Sequence, residues 1–238
     1  MLDWTGAWSW VSGDYEGSLI LTERYFCEVS ACRDRCGPKE KQPAEIETAN
    51  WFKSYEAKAG TLNLIKDGEE TLIEMVSSIA HHPANVSGRE LKAIEVDSDL
   101  MSVVEIDQYG TRSRSVSYNR LSDIGQTPLA GAWKCDPQEF DGMMIMTDTQ
   151  FIYISTAIER PQIMDLGSDL SDIDAVTLAQ ALHSLAGTYT TNGSVMTRQT
   201  VLAMNPSRKG SKSNLEFDLK NDLLTLRAAS IALNWRKL

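Results

Sequence analysis

The first apolar run of the chain reads TGAWSW (Thr5–Trp10), and at Ala130–Cys135 the chain writes AGAWKC. A shift of 125 positions lays residues 4–30 over 129–155 without a gap. Gly6, Ala7, Trp8, Gly17, Ile20, Thr22, Phe26 and Ser30 then meet Gly131, Ala132, Trp133, Gly142, Ile145, Thr147, Phe151 and Ser155. Eight identities in 27 positions are modest, but the order of segments persists beyond them. AKAGTLNLIKDG (57–68) parallels SLAGTYTTNG (184–193) with a two-residue gap, AIEVDSDLMSV (93–103) parallels EFDLKNDLLTL (216–226), and SYNRL (117–121) parallels NWRKL (234–238). Self-similarity at a fixed offset marks a repeated structural unit. The chain reads as a tandem duplication, 1–124 and 125–238, joined through LSDIGQTPLAG (121–131) with its Gly125 and Pro128.

Within each copy, apolar and polar residues alternate between turn-forming Gly, Asn and Asp, which is the pattern of half-buried strands. The second copy gives eight such runs, near 130–135, 142–147, 150–156, 187–191, 194–204, 213–219, 223–228 and 231–237. One segment per copy departs from alternation. PAEIETANWFKSYEAKAG opens at Pro43 and sets Ile46, Ala49, Trp51 or Phe52, and Tyr55 near one helical face before Gly60. Its counterpart has Ser171 or Asp172 as N-cap, followed by Ile173, Val176, Leu178, Leu182 and Leu185. Eight short antiparallel strands with one helix in about 115 residues predict a small closed barrel, which leaves no sheet edge exposed. The fold expected is mainly β: two tandem barrels with one short helix each.

Composition is that of a globular protein, with 42% hydrophobic and 24% charged residues. The net charge of −10 is concentrated in residues 1–124, which hold 13 Lys/Arg against 21 Asp/Glu; residues 125–238 hold 10 against 12. An acidic surface repels phosphate backbones, so no nucleic-acid partner is expected. No apolar run is long enough for a spanning helix, and MLDWTGAWSW lacks a basic-then-apolar leader. A soluble, cytoplasmic protein without membrane insertion is expected, and pairing with a second copy through an apolar patch stays open. Cys32 and Cys36 are followed by no second Cys or His pair at zinc-site spacing, while Cys27 and Cys135 fall in apolar strand patterns. The only histidines are His81, His82 and His183. No metal and no cofactor are expected.

The Gly-x-Trp openings, the helix running into AG-T and the closing NWRKL resemble the lipocalin-like domain family, here in tandem, over nearly the whole chain. The resemblance implies barrels in which the Trp of the opening lies at the closed end and a basic residue of the last strand stacks over it. Trp8 with Arg120, and Trp133 with Arg236 or Lys237, match that plan. In size and duplication the chain also resembles fungal cyclases of natural-product biosynthesis. Among these are hetero-Diels–Alderases, which join a tropolone-derived quinone methide to a humulene-type sesquiterpene. That implies a cofactor-free pericyclase of meroterpenoid biosynthesis acting on a hydrophobic substrate.

The chain lacks a nucleophile elbow, a P-loop, a dinucleotide fingerprint and a zincin motif. A cyclase needs none of these, only water exclusion, substrate folding and a few donors where charge shifts. In SSIAHHPANVSG (77–88), His81 and His82 either hold a pocket rim as donor or proton shuttle, or are solvated loop residues. Trp51, Phe52 and Tyr55 either line a pocket or pack the helix on its barrel. The leucines in their place in the second copy favour the first barrel as the one with a pocket. Arg198 alternates with Met196, Thr200 and Leu202 and so is expected to point inward, where it needs an anionic partner, a ligand oxygen or an Asp. Tyr25, Tyr118 and Tyr153 offer further hydroxyls. The expected catalytic set is His82, Tyr55 and Arg198, with Trp51, Phe52, Tyr25, His81, Tyr118 and Tyr153 contacting substrate. A carrier of a hydrophobic small molecule, or an isomerase or dehydratase of the same pathway, is the competing expectation.

Overall fold

The computed structural model describes residues 3–35, 44–67, 70–113, 115–136, 140–161, 170–228 and 231–238. Strands β1 (Gly6–Ser12), β2 (Tyr15–Leu21), β3 (Tyr25–Cys32), β4 (Tyr55–Asp67), β5 (Glu70–Ala80), β6 (Arg89–Asp97), β7 (Leu100–Ile106) and β8 (Val116–Ser122) form one closed antiparallel barrel. Strands β9 (Gly131–Cys135), β10 (Phe140–Met146), β11 (Gln150–Ala157), β12 (Leu182–Asn192), β13 (Val195–Ala203), β14 (Lys212–Lys220), β15 (Leu223–Ala228) and β16 (Ile231–Lys237) form a second. Helix α1 (Glu45–Lys53) follows β3 and helix α2 (Asp172–Gln180) follows β11. A 3-10 turn follows the fifth strand of each barrel, at Pro83–Asn85 and Pro206–Arg208.

Both helices are shorter than their periodicity predicts. Ser54 closes α1 by donating its hydroxyl to the carbonyl of Asn50 at 2.6 Å, and Tyr55 then pairs with Ala31 as the first residue of β4. Ser171 caps α2, its Oγ accepting from the Asp174 N–H at 3.1 Å, and Leu182 and Leu185 belong to β12. Tyr55, Leu182 and Leu185 are therefore strand residues. The expected helix start at Pro43 and the hairpin tip at Gly68 lie outside the described residues.

Each residue of the repeated Gly-Ala-Trp has a separate task. Gly6 and Gly131 have φ of +138° and +127°, where a side chain is strained, and a Cβ on Gly6 would stand 2.6 Å from the Ser122 carbonyl oxygen. Ala7 and Ala132 face outward into the contact between the barrels. Trp8 and Trp133 face inward, fully buried, and donate their indole N–H to the carbonyls of Trp4 and Leu129 at 3.0 and 2.9 Å. A second shared device is the bulge in the fourth strand of each barrel, at Ala59/Gly60 and Ala186/Gly187. There a Cβ would meet the Val76 or Gln199 carbonyl oxygen at 1.9 or 2.0 Å.

The barrels share a core. Strand β3 is buried on both faces, with Phe26 and Glu28 inside the first barrel and Cys27, Val29 and Ala31 against the second. Strand β11 repeats this, with Ile152 and Ile154 turned to the first barrel. Helices α1 and α2 add Ala49 and Phe52 from one side and Ala175, Leu178 and Ala179 from the other. Each large apolar side chain so buried contributes about 1.5–3 kcal/mol.

Candidate functional site

At the closed ends of the barrels, basic side chains of the last strands lie over the two tryptophans. The Arg120 guanidinium carbon is 4.2 Å from the Trp8 ring centre, and Lys237 Nζ is 5.3 Å from that of Trp133. Arg120 also donates to the carbonyl of Thr5 at 3.0 Å, and Lys237 to that of Pro128 at 3.2 Å. Arg236, the alternative partner for Trp133, pairs instead with Asp136 at 3.4 Å. These contacts cover the two tryptophans at the closed ends.

The mouth of the first barrel is occupied by ions. Glu28 on β3 lies 3.3 Å from Lys58 and 3.7 Å from Lys92, and Glu90 lies 2.6 and 3.1 Å from the same two lysines. Tyr118 donates to Glu28 at 3.3 Å. Burial would raise the Glu28 pKa, but the Lys92 and Lys58 ammonium groups outweigh it and hold the carboxyl down at about 2. Glu56 is pushed upward instead, by desolvation and by the carboxylates of Glu28, Glu90 and Glu105 nearby. The space left above this network, about 310 Å3, is lined by Glu28, Glu56, Lys58, Glu105 and Tyr118.

The mouth of the second barrel is different. A cavity of about 370 Å3 is walled by Met144, Leu185, Leu215, Leu226, Leu233 and Trp235 and carries Tyr153, His183, Arg198 and Arg208. The repeat puts Tyr153 where the first barrel has Glu28, Leu185 for Lys58, Leu215 for Lys92 and Trp235 for Tyr118. Strand register agrees: Glu28 faces Lys58 across β3 and β4 as Tyr153 faces Leu185 across β11 and β12. Arg198 sits on β13 inside the barrel, its guanidinium carbon 5.5 Å from the Phe151 ring centre. Among the described residues no carboxylate lies within 4 Å of it, and its Nε is buried without an acceptor. Burial lowers its pKa, with Arg208 adding repulsion. The Tyr153 hydroxyl shares a hydrogen bond of 2.9 Å with Ser155, and the Tyr153 and Trp235 rings meet edge to face at 5.6 Å.

The first barrel does hold a cavity lined by Tyr55 and Tyr118, but a polar one that carries ions, and the second barrel, expected to be filled, holds an apolar chamber. Phe52 and Tyr55 belong to the shared core, and Trp51 is buried on α1. The Tyr55 hydroxyl lies 2.8 Å from Ser184 Oγ, and Ser184 lines the chamber, so Tyr55 stands behind its wall. His82 is buried rather than a solvated loop residue, its Nδ1 accepting weakly from the Ala84 N–H at 3.4 Å, and burial lowers its pKa. His81 packs against Phe52 at 5.0 Å, and burial, with Arg160 and His82 nearby, pushes its pKa down to about 3. This favours packing over proton transfer as the role of His81 at neutral pH. Tyr25 is half-buried near Thr22 and Lys237 at the closed end. Tyr118 is engaged by Glu28.

Of the expected set, only Arg198 and Tyr153 share the chamber. His82, Tyr55 and Arg198, expected as one catalytic group, occupy three places. Trp235, His183 and Arg208 lie outside the expected set, although comparing the repeats column by column singles out Trp235. A depression of about 570 Å3 along β5, β6 and β7 of the first barrel carries an ion pair already matched, Arg112 bonding both oxygens of Glu70 at 2.6 Å. Cys27 is buried in the shared core; Cys36 lies outside the described residues. Among the described residues no His, Cys, Asp or Glu cluster is arranged to hold a metal, and no helix is long and apolar enough to cross a membrane.

No family model and no curated protein matches the chain. Among solved structures, it is similar to the uncharacterised protein YLR301w of Saccharomyces cerevisiae, with a TM-score of 0.56 and 12% identity over 98% of this chain and 97% of that one. At that identity the likeness is one of fold, and it spans both barrels.

Proposed function

We propose that the chain binds a hydrophobic small molecule in the mouth of its second barrel. The contrast between equivalent positions carries this reading: Glu28, Lys58 and Lys92 give one mouth an ionic lining, while Tyr153, Leu185 and Leu215 give the other an apolar one around a cavity of similar size. The cavity, about 370 Å3, has the size and lining of small-molecule sites. The Trp8–Arg120 and Trp133–Lys237 stacks support a relationship to the lipocalin-like domain family, whose barrels they resemble.

The test is titration with the neutral dye N-phenyl-1-naphthylamine, followed by its fluorescence. Saturable binding is expected, and Ala228→Trp, at the exposed end of β15 beside the chamber, should abolish it. Binding that ignores this substitution would move the site elsewhere.

A second reading is favoured by the polar groups of the same chamber. A guanidinium and a tyrosine hydroxyl within apolar walls suit cofactor-free cyclisation, in which substrate folding and preplaced donors lower the barrier. The reaction proposed is a hetero-Diels–Alder addition of a terpene alkene to a tropolone-derived quinone methide, forming one C–C and one C–O bond with no atom lost. Arg198 and Tyr153 stabilise the oxygen that gains charge, and Tyr55 acts only through Ser184. Incubation with a hydroxymethyl tropolone precursor and humulene, read by chiral chromatography, tests it. One enantiomer in excess supports the cyclase, and a racemate at the protein-free rate leaves the carrier.

A further inference from the structure

Resting on that binding site, we propose that its ligand is an amphiphile with one oxyanion, held by the Arg198 guanidinium and the Trp235 indole N–H. Three observations converge. First, among the described residues the chamber is lined by Arg198, Arg208 and His183 but by no Asp or Glu, in a protein of net charge −10. Four other cavities, two in the first barrel and two between the barrels, each include a carboxylate: Glu70, Glu28, Glu16 and Glu23. Second, two donors of the chamber are buried without an acceptor, Arg198 Nε and Trp235 Nε1, and Trp235 is only 1% exposed. Buried donors left unpaired are costly, and a cation more so. The Phe151 ring face returns part of that cost.

Third, the first barrel shows what completes such a mouth. Its cations, Lys58 and Lys92, meet Glu28, which also accepts from Tyr118. The second barrel has Tyr153 in place of Glu28, Trp235 in place of Tyr118 and leucines in place of both lysines, while β13 brings in Arg198, so a cation and an aromatic donor meet there without the carboxylate. A ligand oxyanion supplies it. The guanidinium fork suits a carboxylate, enolate, phenolate or tropolonate, and the leucine and methionine walls take the apolar body.

The test compares 1-anilinonaphthalene-8-sulfonate with N-phenyl-1-naphthylamine, the same ring system without the sulfonate, on the full chain. The anionic dye should bind at least about tenfold tighter, the scale of a charge-assisted contact. Arg198→Met should erase that preference, so that the two dyes bind the variant with equal affinity. Trp235→Phe, which keeps the ring bulk, should reduce the preference in part. Equal affinity for the two dyes, or a preference that survives Arg198→Met and its milder companion Arg198→Gln, overturns the anion assignment while the cavity stands. Failure of both dyes, or binding indifferent to Ala228→Trp, overturns the binding site itself and the inference with it.

Discussion

Arg35 and Arg160 stand 125 residues apart and make the same contact in opposite directions. Arg35, just past β3, crosses to the second barrel and donates to the carbonyls of Ala203, at 2.9 Å, and Met204. Arg160, just past β11, crosses back and donates to the carbonyl of Ala80 at 2.5 Å. Both acceptor sites lie at the end of the fifth strand of the receiving barrel. Burial lowers the pKa of each guanidinium to about 10, which leaves both charged at neutral pH.

Arg35 also donates to the Trp51 carbonyl at 3.0 Å and covers the Tyr55 ring at 5.0 Å. Arg35→Met should therefore lower the stability of the whole chain by about 1–3 kcal/mol, since three carbonyls lose a charged donor. Urea unfolding checks it. Because Met204 and Ser184 line the chamber, dye affinity should fall in the same variant. An unchanged midpoint would show that the crossing contributes nothing.

Gly60→Ala and Gly187→Ala should each cost about 3 kcal/mol or more, because the new Cβ meets backbone rather than a movable side chain. Loss of folded protein in a soluble-expression assay, or a large fall in the urea midpoint, is the expected result.

The ion cluster of the first mouth gives a pH signature. Glu28 ionises near 2 in the folded chain, below its ordinary value of 4.5. A depressed carboxyl pKa stabilises the fold above the unfolded value, and that contribution is lost as pH falls from 4.5 through 2. Glu28→Gln should be less stable than the parent at pH 7, and the gap should close across that window. A gap independent of pH would remove the network from the stability of the barrel.

His81 should remain a neutral imidazole well below pH 5, since burial sets its pKa near 3. Ring-nitrogen NMR shifts followed from pH 8 to 4 read this directly. An unfolded histidine takes up its proton near 6.5, so His81 withdraws stability as pH drops below that value. Midpoint titration of His81 above 6 would return it to the list of proton shuttles.

Arg198→Met should raise the stability of the ligand-free chain by about 1–2 kcal/mol, because a desolvated cation without a carboxylate is exchanged for an apolar side chain of similar reach. A thermal melt measures it. A fall of similar size would make Arg198 a wall support rather than a binding group.

The barrels were legible because their signal is local. Alternation, Asn-Gly and Asp-Gly turns, and the repeated Gly-Ala-Trp all report on neighbours within a few residues, and Arg198 followed from the parity of its strand. What escaped depends on contacts between the copies. Tyr55 sits at helical spacing from Phe52, and both face the shared core, so the periodicity ran on past the end of α1 at Lys53. Cys27 and Val29 read as one strand among others, since a strand buried on both faces loses its alternation without saying what lies on the second side. The helices do not report how the mouths differ, because the difference lies at Glu28 and Tyr153, inside the third strand of each copy.

The contact between the barrels uses matching positions from both copies: Ala7 and Ala132, Ile20 and Ile145, Cys27 and Ile152, Val29 and Ile154. A surface that meets its own counterpart is isologous, the geometry of a two-fold homodimer. The tether from Ser122 to Leu129 turns that association into an intramolecular one, independent of dilution and governed by effective concentration. Covalent joining also frees the halves from identity. In a homodimer every substitution in a mouth appears twice, whereas here one mouth can keep its ions while the other exchanges them for apolar walls.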